Sequence, residues 1–193
     1  VSAKQELPII HFASRDTWKV WLAEQHASSS GLWLKIAKKG SGIATVSYAE
    51  ALEVALCYGW IDSQKGGFDD EYFLQRFTPR KPKGKWSKIN RTKATDLIER
   101  CEMQPAGLRE VEQARADGRW DAAYEGQSTA TVPEDLRREL ERNEAAREFF
   151  ATLDSANRYA VLYRVQEAKR PETRARRIDK YVTMLAGGKK IHP

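Results

Sequence analysis

Two segments of this chain alternate with a period of two, and they constrain the fold more than any other feature. In Gly31–Lys38, Leu32, Leu34 and Ile36 fall on one side while Trp33 and Lys35 fall on the other. In Glu71–Thr78, Phe73, Gln75 and Phe77 oppose Tyr72, Leu74 and Arg76. Successive strand side chains point to opposite faces, so 31–38 reads as a strand with one buried face and 71–78 as a second strand. Ile61–Lys65 is expected to pair with the second strand across a Gly66–Asp70 connection. Pro8–Phe12 is a short apolar run suited to a further strand.

Helical periods separate these strands. Ser14 is placed to cap a helix over 16–26 carrying Trp18, Trp21 and Leu22. Ser47-Tyr-Ala-Glu50 has capping-box spacing, and Gly59 stops the helix it opens. Ser87 is expected to cap a helix with Ile89, Leu97, Ile98 and Cys101, and Pro105 opens another that ends at Gly118. Beyond a small polar stretch at 125–130 the pattern is purely helical. Thr131–Glu134 resembles a second capping box, Asn143 or Glu144 and then Ser155 begin further helices, and Pro171 opens the last. The expected fold is α+β: a small, mainly antiparallel sheet with packed helices over 1–125, then a linker and a helical subdomain over 131–193. With 41% hydrophobic residues and six Trp the chain has material for a packed core, so extensive disorder is excluded.

Charge is concentrated in one place. Arg76–Lys93 holds eight Lys or Arg and no acid, so it is +8 where the whole chain is +6, and the remainder is net acidic. Phe77 and Trp86 lie within it, and Pro79, Pro82 and Gly84 keep its middle out of regular structure. A dense positive field beside aromatic groups suits an anionic partner, and a helix start at Ser87 would add free N–H groups. The candidate anion site is therefore Arg76, Arg80, Lys83, Lys85, Ser87, Lys88 and Arg91, with Trp86 as a stacking surface. The plain alternative is a solvated loop leading into a capped helix. Candidate ligands are an anionic small molecule or an acidic partner surface. Nucleic acid is a second partner class, although no recognition helix, zinc finger or RNA-binding sheet signature occurs.

An enzymatic reading has less to stand on. Tyr58, Trp60 and Asp62 at a helix–strand junction, together with Trp120 and Asp121, could line a pocket, with Asp62 and Tyr58 as reacting groups. No nucleophile elbow occurs, and the three histidines lack metal-ligand spacing, so neither a cofactor nor a metal is expected. Cys57 and Cys101 are expected to be reduced, buried thiols. No run approaches the roughly 18 apolar residues of a membrane span, and Val1–Pro8 has no signal-peptide pattern; the expectation is a cytoplasmic protein.

Several longer strings resemble the YdeI/OmpD-associated, or bacteriocin-protection, family. They are Ala55-Leu-Cys-Tyr-Gly-Trp-Ile-Asp62, Gln75-Arg-Phe-Thr-Pro-Arg80 with Lys85-Trp-Ser-Lys-Ile-Asn90, Gly118-Arg-Trp-Asp-Ala-Ala-Tyr124, and Ala168–Ile178. The resemblance runs from about Phe12 to Pro193. It implies a link to bacteriocin tolerance, envelope stress and a porin association, and it brings neither a known activity nor a ligand.

Overall fold

A computed structural model describes residues 6–127 and 129–193. Residues 1–5, part of the stretch inspected for a leader, and Ser128, part of the expected linker, lie outside the described residues. Two compact units emerge. The first runs through Trp86 and resumes over Asn90–Ala123; the second joins Ser87–Ile89 to Tyr124–Pro193.

The first unit holds a four-stranded sheet in the order β1-β2-β4-β3, from β1 (Ile9–His11), β2 (Leu32–Ala37), β3 (Trp60–Gly67) and β4 (Tyr72–Pro79). β1 and β2 are parallel, with α1 (Arg15–Gln25) between them in sequence; the other two pairings are antiparallel. The fold is α+β, as the alternating segments require. Gly66 and Gly67 pair within β3, so the connection is shorter than the expected Gly66–Asp70. Asp69 builds that turn by accepting the N–H groups of Glu71 (2.9 Å) and Tyr72 (2.7 Å) on one carboxylate oxygen. A bulge between Asp62 and Lys65 shifts the register.

One sheet face is covered. Leu32, Leu34, Ile36 and Phe77 join Trp18, Leu22, Trp60 and the residues of α2 (Tyr48–Cys57) in one core. Two of the buried indoles are satisfied here: Trp18 donates to the Ala51 carbonyl and Trp60 to that of His26, each at 3.1 Å. The capping boxes at Ser14 and Ser47 both form. α4 (Pro105–Ala116) approaches α2 so closely that a Cβ on Gly107 would stand 2.3 Å from the Cys57 carbonyl oxygen.

The opposite face carries the alternate residues. Register aligns Ile9, Trp33 and Arg76 in one row, and His11, Lys35, Leu74 and Gly66 in the next. None of the side chains in these rows is fully buried, and Ile9 is 50% exposed. The Trp33 ring reaches across β4 to β3, where its Cζ3 lies 3.9 Å from the position of a Cβ on Gly66.

α3 (Lys88–Glu99) begins among residues of the second unit and continues in the first. Cys101, just beyond it, was expected to be a buried helical thiol. It is exposed and left-handed at φ 57°, because the chain reverses there after the helix has ended. Ile89, expected on the apolar stripe, is 46% exposed.

The second unit packs α5 (Glu134–Glu141), α6 (Glu144–Thr152), α7 (Ser155–Gln166) and α8 (Pro171–Ala186) around Leu136, Phe150, Val161, Val165, Ile178 and Leu185. Two expected caps differ. The Thr131–Glu134 box does not form, because Pro133 occupies the N-cap and has no side-chain acceptor. Asp154, not Ser155, caps α7, since its carboxylate receives the Asn157 N–H at 2.8 Å. Asn157 is 2% exposed and accepts the N–H groups of Ile191 (3.0 Å) and His192 (2.8 Å), which ties the C-terminal residues to α7. Arg174 grips Asp135 with a forked pair at 2.5 and 2.8 Å and also donates to the Val165 carbonyl. Among the described residues no helix is long and apolar enough to cross a membrane.

Candidate functional site

The basic segment divides. Arg80 and Arg91 turn inward and act as fasteners within the first unit. Arg80 follows the end of β4, held there by its N–H to the Gly59 carbonyl at 2.9 Å, and is only 7% exposed. Its guanidinium lies 3.7 Å from the centre of the Trp86 ring and donates to the Lys85 carbonyl at 2.9 Å. Trp86 is 1% exposed and meets Trp120 edge-on at 5.0 Å, so its ring serves the core and not a ligand. Arg91 donates to the Trp120 carbonyl at 3.2 Å.

Two residues outside the segment complete this inner layer. Arg119 donates to the Gly84 carbonyl at 2.8 Å and is itself held by Asp117. Glu110 packs beside Gly59, where burial raises its carboxyl while Arg80 and Arg119 draw it back. Sequence reasoning missed both, although Arg119 stands in the Gly-Arg-Trp string that it had marked. Glu110 carries no local signal; only the tertiary fold brings it to the arginines.

The lysines of the turn point the other way, while Lys93 pairs with Glu53 at 3.4 Å. The Gly84 N–H closes a turn onto the Lys81 carbonyl at 2.7 Å, and a side chain at 84 would crowd that oxygen at 3.0 Å. Lys81, Lys83 and Lys85 are exposed around this turn. Arg76 is not part of it: it lies on the open sheet face and reaches Gln64 at 3.4 Å.

The start of α3 belongs to the second unit. Ser87 is 9% exposed and bridges to Tyr124, whose carbonyl accepts the Lys88 N–H at 2.8 Å. The Lys88 ammonium pairs with Glu125 at 2.7 Å, and that hydrogen bond holds the Glu125 carboxyl below the usual range. A carbonyl and a carboxylate thus already occupy positions that an anion at this helix start would take.

The five pocket candidates have separate surroundings. Trp60 is bonded in the core, and Trp120 packs on Trp86. Tyr58 is buried against His26, with ring centres 5.3 Å apart, and burial raises its hydroxyl. Asp62 receives the Tyr48 hydroxyl at 2.7 Å; burial first, and then Asp62, pushes that hydroxyl well above its ordinary value. Asp121 is exposed. Burial also pushes the Cys57 thiol up to about 11, the reverse of nucleophile activation.

Residues 10–110 match the family described as "Domain of unknown function (DUF8412)". The chain belongs to that family. Residues 129–188 match a second one, "Bacteriocin-protection, YdeI or OmpD-Associated". Of the strings noted in the sequence, 168–178 lies inside this second match, 55–62 and 75–90 lie inside the DUF8412 match, and 118–124 falls between them. The DUF8412 match contains β2, β3, β4, all of β1 but Ile9, and the lysine turn, and the YdeI/OmpD-associated match contains the four C-terminal helices. No curated protein and no solved structure matches the chain.

Proposed function

We propose that the chain binds an anionic partner through the turn at Lys81–Lys85, acting in the cytoplasm as a binding protein. The observation that carries this reading is the turn's construction. Arg80 and Arg119 hold two of its carbonyls from beneath, so the lysines sit on a braced support and not on a floppy loop. Bracing lowers the entropy lost when a partner binds, which a merely solvated charge run would not need. The YdeI/OmpD-associated description over 129–188 connects the proposal with bacteriocin protection and envelope stress.

Lys81→Glu/Lys83→Glu should leave the fold intact and elute from a heparin column at clearly lower salt than the parent protein. Elution at the parent's salt concentration would remove the turn as a binding element.

A further inference from the structure

The covered side of the sheet holds a second arrangement, where the hairpin of β3 and β4 runs past the helices. Trp60 at the start of β3 is buried, whereas Lys65 and Gly67 near its end are exposed, so the helical layer stops before the hairpin does. Register sets which side chains occupy that uncovered end. Phe73 pairs with Ile36 and with Gly67, and Gln75 pairs with Leu34 and with Lys65, so all of them share the side of the core. Lys38 lies two residues beyond Ile36, with its N–H on the Glu71 carbonyl at 2.7 Å, and falls on the same side.

The bulge in β3 decides the matter for Lys65. From the Asp62–Phe77 pair to the Lys65–Gln75 pair there are three steps on one strand and two on the other. The extra residue turns Lys65 to the side that Asp62 faces; in an unbroken strand it would point away. Gln75 is 5% exposed and donates to the Gln64 carbonyl at 3.1 Å, which holds the bulge in this form.

Lys38, Lys39, Lys65, Gly66, Gly67 and Phe73 line a depression of about 590 Å³ at this end of the sheet. Two of the three ammonium groups are already held in place. Lys38 donates to the Asp69 carbonyl at 2.8 Å, and Lys65 stands 4.4 Å from the centre of the Phe73 ring, which packs on the core. An ammonium has further N–H donors to offer a ligand after one is used. Among the described residues none of the three lysines is ion-paired. A Cβ at 67 would meet no atom within 4 Å, so the space opposite Phe73 stands open.

We propose that this depression binds a phosphate monoester, with its phosphoryl group among the three ammonium groups and its carbon frame against Phe73 and the glycine backbone. Three cations suit a group that carries about two negative charges near pH 7 better than they suit a single carboxylate. Lysine serves phosphate as a point charge, and the lysine stems with Phe73 offer apolar contact to the carbon frame. A long polyanion fits poorly because the positive field is short: Asp62 precedes the bulge, and Asp70 and Glu71 are exposed at the hairpin tip.

The test is a titration of the ¹⁵N-labelled protein with phenyl phosphate, followed by amide shifts, beside inorganic phosphate and benzoate. Shifts should centre on Lys39, Gly66 and Gly67. Phenyl phosphate should bind about tenfold more tightly than either comparator, since one lacks the ring and the other the second charge. Gly67→Leu fills the depression and leaves every lysine in place; Gly67 is not left-handed, so leucine suits its backbone, and affinity should fall about tenfold or more. Lys39→Glu/Lys65→Glu alters exposed positions and keeps the test valid should Gly67→Leu unfold; it too should lose about tenfold or more. Lys81→Glu/Lys83→Glu should bind phenyl phosphate as the parent does, so this site and the lysine turn stand or fall separately. Vesicles containing phosphatidic acid, whose head group is a phosphate monoester, distinguish the source. Sedimentation with them that Gly67→Leu abolishes assigns the site to a lipid head group, and binding of phenyl phosphate without sedimentation assigns it to a soluble ester. Neither binding nor sedimentation would overturn the proposal, as would shifts centred on Lys81–Lys85, parent-like affinity in folded Gly67→Leu, or benzoate bound as tightly as phenyl phosphate.

Discussion

Leu34 and Lys35 are consecutive residues of β2. Leu34 is wholly buried in a core of tryptophans, and Lys35 stands between two aromatic rings at the surface. The same contrast repeats across β4, where Phe77 is buried and its neighbour Arg76 is not. Tryptophan makes the point most sharply. Trp18 and Trp60 on the covered side each have their indole N–H bonded to a carbonyl and are fully enclosed, whereas Trp33 lies along the open side. Residue type alone does not decide whether an aromatic group is core or contact surface; its parity along the strand does.

That contrast can be broken by experiment. The largest effect is expected from Leu34→Ala, which removes a fully buried side chain and should cost roughly 3 kcal/mol in urea unfolding. Leu74→Ala on the other side should cost about 1 kcal/mol or less. Equal losses would mean that the open side is packed as tightly as the covered one. Gly107→Ala comes next, because its Cβ would meet backbone oxygens that cannot step aside; a drop of about 2 kcal/mol in stability is expected. Below that lies the difference between arginine and lysine around the turn. Arg119→Ala breaks a bond to the Gly84 carbonyl and should cost about 1.5 kcal/mol, while Lys83→Ala should stay within about 0.5 kcal/mol by the same measurement.

The smallest effect belongs to the second unit. The Arg174 fork holds the Asp135 carboxyl below its ordinary range, so its contribution is complete above about pH 4 and is lost as pH falls through the lower folded value. The Asp135 side chain is 41% exposed, so solvent screening keeps that contribution to roughly 0.5 kcal/mol or less. Asp135→Asn should therefore flatten the acid limb of the stability curve slightly and change nothing at its foot.

Much of the fold was legible because its signals are local. Strand alternation at 31–38 and 71–78, the boxes at Ser14 and Ser47, and the stop at Gly59 each depend on residues only a few positions apart. Where the reading missed, the deciding partner was remote or two local signals competed. Arg80 turns inward because Trp86 and the Lys85 carbonyl receive it and the turn is braced by Arg119, and charge counting cannot distinguish such an arginine from an exposed one. Asp154 and Ser155 are both good caps, and adjacency in sequence does not say which side chain will reach the free N–H. Of the candidate site, the cationic segment itself was visible. The pairing of its helix start with Tyr124 and Glu125 was not, because it joins residues far apart in the chain.

That last pairing bears on how the protein is made. The second unit is not one continuous stretch: Ser87–Ile89 leave the ribosome well before Tyr124, the residue they bridge. The helical unit therefore cannot finish assembling as an independent tail, and a fragment cut to the family match at 129–188 would lack both halves of that bridge. Excising the C-terminal helices by sequence boundary alone yields an incomplete piece; a faithful excision must carry the short upstream strip Ser87–Ile89 with it.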